Sequence, residues 1–448
     1  MKSLELLPTE ENLMLAYEDD YIGRNTDIHY FFEILNSIDD CCIIALDGKW
    51  GSGKTFFVKQ TKMLLDAFND FVDTDKVEQK NKTKNIFNRR KSQDCEIAIK
   101  SQVSVYYDAW ENDNDDDPLL SLIFEIAKSL NTDFEISEGK DFSKLLLNIF
   151  ELFTGKNIEN IVEFLKKGED PFLKLKSDRS LIKEINAFLD LVLVEKGDRL
   201  VIFIDELDRC KPSYAVKLLE RIKHYFQHAN VTFVLSINSL ELQHTIKQYY
   251  GLDFDAYKYL DRFFDLKLPL PKADLNMFYS SIGYQVSSKT TDIFTNAVIN
   301  YFNFEMREIA KYIRLMNIVT GKNISYTENF RFCFSGIVPI IIGLRIHNIN
   351  MYYDFIEGRN DTILQDIFLT NRSRWMESKL LDNNEYMLSD YDKNKILKEK
   401  IHKLYDALFN EQYITIYEKN IGSITIDKTL KNDLFKVISL LSPYSDYT

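Results

Sequence analysis

"CIIALDGKWGSGKTFFVKQTKMLL", residues 42–65, decides the fold. It opens with an apolar run over 42–46, short enough for a buried strand. It closes on Phe57, Val58, Thr61, Leu64 and Leu65, which recur at helical spacing. Between them stand Gly48, four further residues, and Gly53-Lys54-Thr55. This is the G-x-x-x-x-G-K-[ST] pattern in the strand–loop–helix setting it needs. Glycines let backbone N–H groups close around phosphate oxygens, and a helix N-terminus adds a favourable dipole. Lys54 can reach terminal phosphates and the Thr55 hydroxyl can bind Mg²⁺. The phosphate-contacting stretch therefore runs Gly48, Lys49, Trp50, Gly51, Ser52, Gly53, Lys54, Thr55, Phe56.

A phosphate loop needs a metal-holding acid elsewhere. "LVIFIDE", residues 200–206, supplies it as an apolar strand that ends in two adjacent carboxylates. Asp205 is placed to hold Mg²⁺ through water, and Glu206 to orient and deprotonate an attacking water. A carboxylate directly after the metal-holding one marks the P-loop class that inserts an extra strand between these two strands in space. "NVTFVLSINS", residues 230–239, fits that strand, with Ser236 and Asn238 at its polar end. The Asn238 amide can donate to a phosphate or position the water. A three-layer α/β core with a parallel sheet is expected from about 20 to 271, followed by a helical region.

The bulk numbers narrow the functional classes. The 448 residues carry a formal net charge of -13, which disfavours wide nucleic-acid coverage. A local contact through Arg89, Arg90 and Lys91 stays open, within a polar segment, 73–95, that reads as an exposed insertion. Five scattered cysteines without paired spacing suggest a reducing compartment and no disulfide or zinc framework. His224 and His228 have the spacing of a metal pair, but no catalytic-metal motif accompanies them. The longest apolar run, "FCFSGIVPIIIGL" at 332–344, is shorter than the roughly 20 residues a membrane helix needs and contains Pro339. It reads as a kinked core helix. No integral membrane segment is expected, and a cytoplasmic location is. In "ENDNDDDP", 111–118, Asp117 and Pro118 suit the cap and first position of a helix. Amphipathic helices then follow over 119–195, inserted before the acidic strand.

Several blocks in order resemble the KAP family of P-loop NTPases, in the STAND branch related to AAA+ proteins. They are "GKWGSGKT", "YYDAWEND" (106–113), "IDELDRCKPSYAVKLLERIKHYF" (204–226), "NVTFVLSINSLELQHTI", "YKYLDRFFDLKLPLP" (257–271), "EMREIAKYI" (305–313) and "IIGLRIHNINMYYDFIEG" (341–358). The chain departs from the family's habits at Glu206, often Asp; at Asn238, usually Asp; and at Arg262, often Lys. It also shows none of the membrane helices that many members insert. The resemblance implies Mg²⁺-dependent ATP hydrolysis used as a regulatory switch, ATP rather than GTP, and a homo-oligomer with a separately encoded protein partner or effector. It implies adenine contacts at Tyr21, Ile22 and Gly23, a γ-phosphate sensor at Asn238, an arginine finger at Arg262 and a second sensor at Arg307. Prokaryotic members are often tied to mobile elements and phage exclusion, which implies an antiphage setting. An ATP-binding scaffold with little turnover and a nucleic-acid motor or clamp are the rival readings. The organisation expected is an N-terminal adenine-side segment (1–40), the NTPase core (41–271), a helical lid (272–360) and a C-terminal domain of unreadable role (361–448).

Overall fold

In the computed structural model, residues 7–71, 77–90, 98–115, 117–129, 146, 148–149, 171–284, 290–320, 328–410 and 419–441 are described. The chain divides into two compact units, Leu7–Met277 and the remainder from Phe278 onward.

The first unit is built on β1 (Cys42–Asp47), β2 (Gln102–Asp108), β3 (Arg199–Asp205), β4 (Val231–Ile237) and β5 (Leu266–Pro269). Their order across the sheet is β2-β3-β4-β1-β5, and every pairing is parallel. The strand expected between the phosphate-loop strand and the acidic strand is β4. Helices cover both faces of a parallel sheet, so its central strands read as continuous apolar runs. Every residue of β3 and of β4 is buried.

Alternate residues of one strand serve opposite layers. Leu200, Ile202 and Ile204 of β3 face one layer, with α5 (Pro118–Ser129), α6 (Pro171–Lys196), α7 (Pro212–Tyr225), α8 (Ser239–Tyr250) and α9 (Ala256–Asp261). Val201 and Phe203 face the other, with α2 (Asn25–Ser37), α3 (Lys54–Phe68) and α4 (Val77–Arg90). A preceding helix, α1 (Glu10–Glu18), packs against α3 and α4. The N-terminal segment thus belongs to the core unit.

Helix α4 corrects the reading of 73–95 as an exposed loop. Thr83 and Phe87 are buried, and Phe87 meets the rings of His29, Phe32 and Phe68. Positions 83, 86 and 87 form a narrow helical stripe that the surrounding charge conceals. Arg89 stays exposed, and Lys91 lies outside the described residues. The reading of 111–118 holds, since Asp117 accepts from Leu119 N at 2.9 Å and Pro118 opens α5. Most of the expected helical insertion, between 130 and 170, lies outside the described residues. His228 falls beyond the end of α7 and pairs with Asp190 at 2.9 Å.

In the second unit the apolar run sits inside α12 (Glu328–His347), which packs against α10 (Thr290–Phe302) and α11 (Met306–Thr320). Among the described residues α12 is the one helix long and apolar enough to cross a membrane. Its residues 336–344 are all buried in this unit, as in a core helix. The Tyr312 hydroxyl donates to the Pro339 carbonyl at 3.1 Å. Residues beyond 360, set apart in the sequence reading, pack on the same helix: a side chain at Gly336 would collide with Phe368 and Met376. "SITIDKTL" contributes β7 (Ile424–Ile426), which pairs antiparallel with β6 (Lys419–Ile421). Residues 411–418 are outside the described set.

Phe203 sits fully buried at the centre of the sheet. Phe203→Ala is expected to destabilise the core unit by about 3–5 kcal/mol through lost transfer energy and a residual cavity. Urea unfolding of the nucleotide-free protein measures this, and a loss below about 1 kcal/mol would contradict the packing described.

Candidate functional site

The loop after β1 is shaped by its glycines. Gly51 and Gly53 adopt φ of +79° and +88°, a left-handed conformation that other residues adopt only under strain. Gly53 is the residue from which α3 starts. Gly48 N–H donates to Ile237 O of β4 at 3.0 Å. A side chain at Gly48 would press on Leu270 and Ser52 at 3.0 Å. The Lys54 ammonium is buried and donates to the loop's own carbonyls, Gly48 O at 2.7 Å and Lys49 O at 3.3 Å. Burial lowers its pKa, and the nearby charges of Asp208, Asp205 and Glu206 oppose that.

Parallel register carries β3 alongside β4 and β2, so Asp205 ends level with Ser236 and Asp108. Its carboxylate is wholly buried. The Thr55 hydroxyl donates to Asp205 Oδ2 at 2.7 Å, Tyr106 OH donates to the same oxygen at 3.1 Å, and Glu206 N–H donates to Oδ1 at 3.0 Å. Burial and the Asp205 charge raise the Tyr106 phenol pKa strongly, so it stays a donor.

Glu206 follows with φ of +60°, the left-handed region that is uncommon for such a residue and that collects at functional sites. Its carboxyl is pushed up to about 7, by burial first and then by the Asp205 charge, with Arg209 opposing. Arg209 Nε lies 2.5 Å from Glu206 Oε2. The Trp50 indole N–H donates to Asp208 Oδ2 at 2.5 Å, which ties the phosphate loop to the turn after β3.

Fit to a divalent cation can be judged from the donor set. Thr55 Oγ1 and Asp205 Oδ2 are hard oxygen atoms already side by side, as Mg²⁺ requires. Among the described residues no group of three or more His, Cys, Asp or Glu could hold a metal. Mg²⁺ usually takes one or two protein oxygens and completes its shell with waters and phosphates. The residues fit the ion.

The structure therefore brings together Lys54, Thr55, Asp205 and Glu206. Asn238 caps α8, accepting from Leu240 N at 3.3 Å, one residue past the Ile237 carbonyl that holds Gly48. Ile22 is buried and its carbonyl accepts from Asp274 N at 2.9 Å. Gly23, with φ of +69°, lies so close to Asp274 that a Cβ would meet it at 2.6 Å. Tyr21 is half-buried beside them. Arg262 is not brought to this site. It is exposed at the C-terminal cap of α9, ahead of β5, where Asp265 N pairs with Ile43 O. Arg307 is exposed on α11, in the second unit.

Sequence reading missed three contacts. Tyr106, in the "YYDAW" block, reaches Asp205. Trp50 reaches Asp208. Arg24, directly after the Gly23 turn, is buried and donates from Nη1 to Ser52 O of the loop at 2.8 Å. The signal for Arg24 was an arginine directly after the Tyr21-Ile22-Gly23 turn; nothing in the sequence says which carbonyl it reaches.

A sheet with the β4 insertion, a glycine-shaped loop at the end of β1 and two carboxylates at the end of β3 define a P-loop NTPase. The chain matches the KAP family P-loop domain over residues 25–321 and belongs to that family. No curated protein matches it. Among solved structures it is similar to the Aeropyrum pernix ORC2 protein, in ADPNP-ADP complexes, at 11% identity and a TM-score of 0.34. That similarity covers 93% of this chain and 94% of that one.

Arg24 supports the loop through a buried, charge-assisted hydrogen bond, a contact of about 1.5–3 kcal/mol. Arg24→Ala is expected to weaken nucleotide affinity on the order of tenfold. Titration with a fluorescent ATP analogue measures it, and unchanged affinity would show that the loop holds its shape without Arg24.

Proposed function

We propose that this chain is a Mg²⁺-dependent ATPase that uses hydrolysis as a conformational switch. The observation that carries this reading is the convergence of Lys54 and Thr55, from the phosphate loop, with Asp205 and Glu206 at the end of β3. Lys54 exchanges its loop carbonyls for the terminal phosphates. Thr55 and Asp205 would hold Mg²⁺, which supplies charge neutralisation at the phosphate oxygens when bound. Glu206 takes a proton from water as the water oxygen bonds to the γ-phosphorus; the bond to the β–γ bridging oxygen breaks and ADP leaves. Asn238 offers its amide N–H groups to the γ-phosphate or the water, since its oxygen is engaged with Leu240. The turn at Tyr21, Ile22 and Gly23, whose next residue grips the loop, is the proposed adenine side. The family resemblance supports a regulatory, antiphage setting with a separate protein effector.

Lys54→Ala is expected to abolish nucleotide binding. Glu206→Gln should bind ATP and lose on the order of 10²-fold or more in turnover, the usual scale of a general base. Steady-state hydrolysis assays decide it: normal turnover by Glu206→Gln would remove Glu206 from the mechanism.

We further propose that Arg262 completes the site of a second copy. A parallel sheet presents the phosphate loop at the C-terminal ends of its strands, whereas Arg262 precedes the N-terminal end of β5. Within one chain the two lie at opposite ends of the sheet. Its candidate local partners are engaged elsewhere: Asp261 with Lys267, and Asp265 with Ile43 N. Among the described residues no ion pair holds Arg262. Fingers of this kind contribute about 10³–10⁵ in rate. Mixing inactive Arg262→Ala with inactive Glu206→Gln should restore turnover, because mixed assemblies contain sites with both groups intact. Co-assembly without recovery would rule out action in trans.

A further inference from the structure

Arg209 is a half-buried cation that the hydrolytic scheme leaves without a task. Its Nε lies 2.5 Å from Glu206 Oε2. Its guanidinium carbon stands 6.0 Å from the Trp50 ring centre and 5.6 Å from that of Trp110. One indole belongs to the phosphate loop, and the other follows β2. Both rings are about half exposed, at 43% and 52%, so burial in a core does not account for their placement. Guanidinium faces attract indole faces through charge and ring quadrupole, and Arg suits this better than Lys because it is planar.

Trp110 is itself fixed. Its backbone N–H and that of Glu111 both donate to Asp108 Oδ1 at 3.1 Å, and the Ala109 backbone N–H donates to Asp205 O at 3.0 Å. Trp50 is fixed at its other end by Asp208. The Trp50 ring is therefore anchored to the turn after β3 and the backbone that carries Trp110 to the end of β2, and the two rings flank a cation that touches one oxygen of Glu206. Oε1 of Glu206 has no partner among the described residues. A base whose second oxygen is held by a third group is oriented in the way that nucleophile–base pairs are oriented elsewhere.

We propose that Arg209 is a positioning residue, gripped by Trp50 and Trp110, that fixes Glu206 through Oε2 and leaves Oε1 to take the proton from water. This rests on the reading of Glu206 as the base. It adds that the phosphate loop, through Trp50, helps to aim that base. Arg209 acts through Glu206 and touches no reacting atom.

The test is a double-mutant cycle in the full chain, with ATP turnover and nucleotide Kd measured on each variant. Arg209→Ala is expected to lower kcat on the order of tenfold or more, within the range of a general base's contribution, with Kd unchanged. In the Glu206→Gln background the same change should cost nothing further, because no base remains to be aimed. Arg209→Lys should recover only part of kcat, since it keeps the charge without the planar faces. Trp110→Phe should keep most of kcat and Trp110→Ala should lose it, again with Kd unchanged, which covers the case in which Arg209→Ala fails to fold. Equal losses from Arg209→Ala in both backgrounds would overturn the proposal, and so would a rise in kcat. Normal turnover by Glu206→Gln alone would instead defeat the reading of Glu206 on which it rests.

Discussion

The Asp205 carboxylate is the constraint around which the core unit is organised. A charge removed from water is costly unless it is fully hydrogen-bonded. Asp205 is wholly buried at the end of a wholly buried strand, and three donors meet it: the Thr55 hydroxyl, the Tyr106 phenol and the Glu206 N–H. Those donors come from α3, β2 and the turn after β3 itself. Each must be delivered by the fold, so strand order and register are prerequisites of the site. With β2 out of register by one residue, Tyr106 would turn to the opposite face of the sheet.

The phosphate loop depends on the same sheet from its other side. Gly48 is held by the end of β4, and Ser52 O by Arg24. Lys54 spans the loop and satisfies its own ammonium on two loop carbonyls. The loop is thus closed on itself through Lys54. This lowers the ordering cost of binding, which is the general advantage of a preorganised site. The glycines matter here for two distinct reasons: left-handed backbone at 51 and 53, and close approach of Leu270 at 48.

Much of this was legible in the sequence, because strand, loop and helix around residues 42–65 each follow a local rule. The Lys54, Thr55, Asp205 and Glu206 assignments needed only residue type, spacing and an apolar run. The place of β4 followed from the carboxylate after Asp205. What escaped was non-local. Arg24 and Tyr106 are far from their partners in sequence, and their roles come from tertiary packing. Helix α4 escaped for another reason: a three-residue stripe is too narrow to stand out among so many charges, although Phe87 closes an aromatic cluster with Phe32 and Phe68. The region past 360 read as a separate piece because nothing local announces that Phe368 and Met376 fill the space left by Gly336.

Charge balance at the site closes the argument. Asp205, Glu206 and Asp208 crowd one small volume, answered by Lys54 and Arg209. Burial raises Glu206 and Asp208 toward their neutral forms, which is how the fold tolerates three acids with two cations. A bound triphosphate would add several negative charges to this cluster, more than Lys54 and Arg209 alone can answer. In the reading proposed above, further positive charge would come from a cation at the Thr55–Asp205 oxygens and from Arg262 of a second copy. Glu206 itself sits in left-handed backbone, a conformation that collects at functional sites. On that proposal turnover would be conditional on assembly, and this is the physical basis it offers for switching.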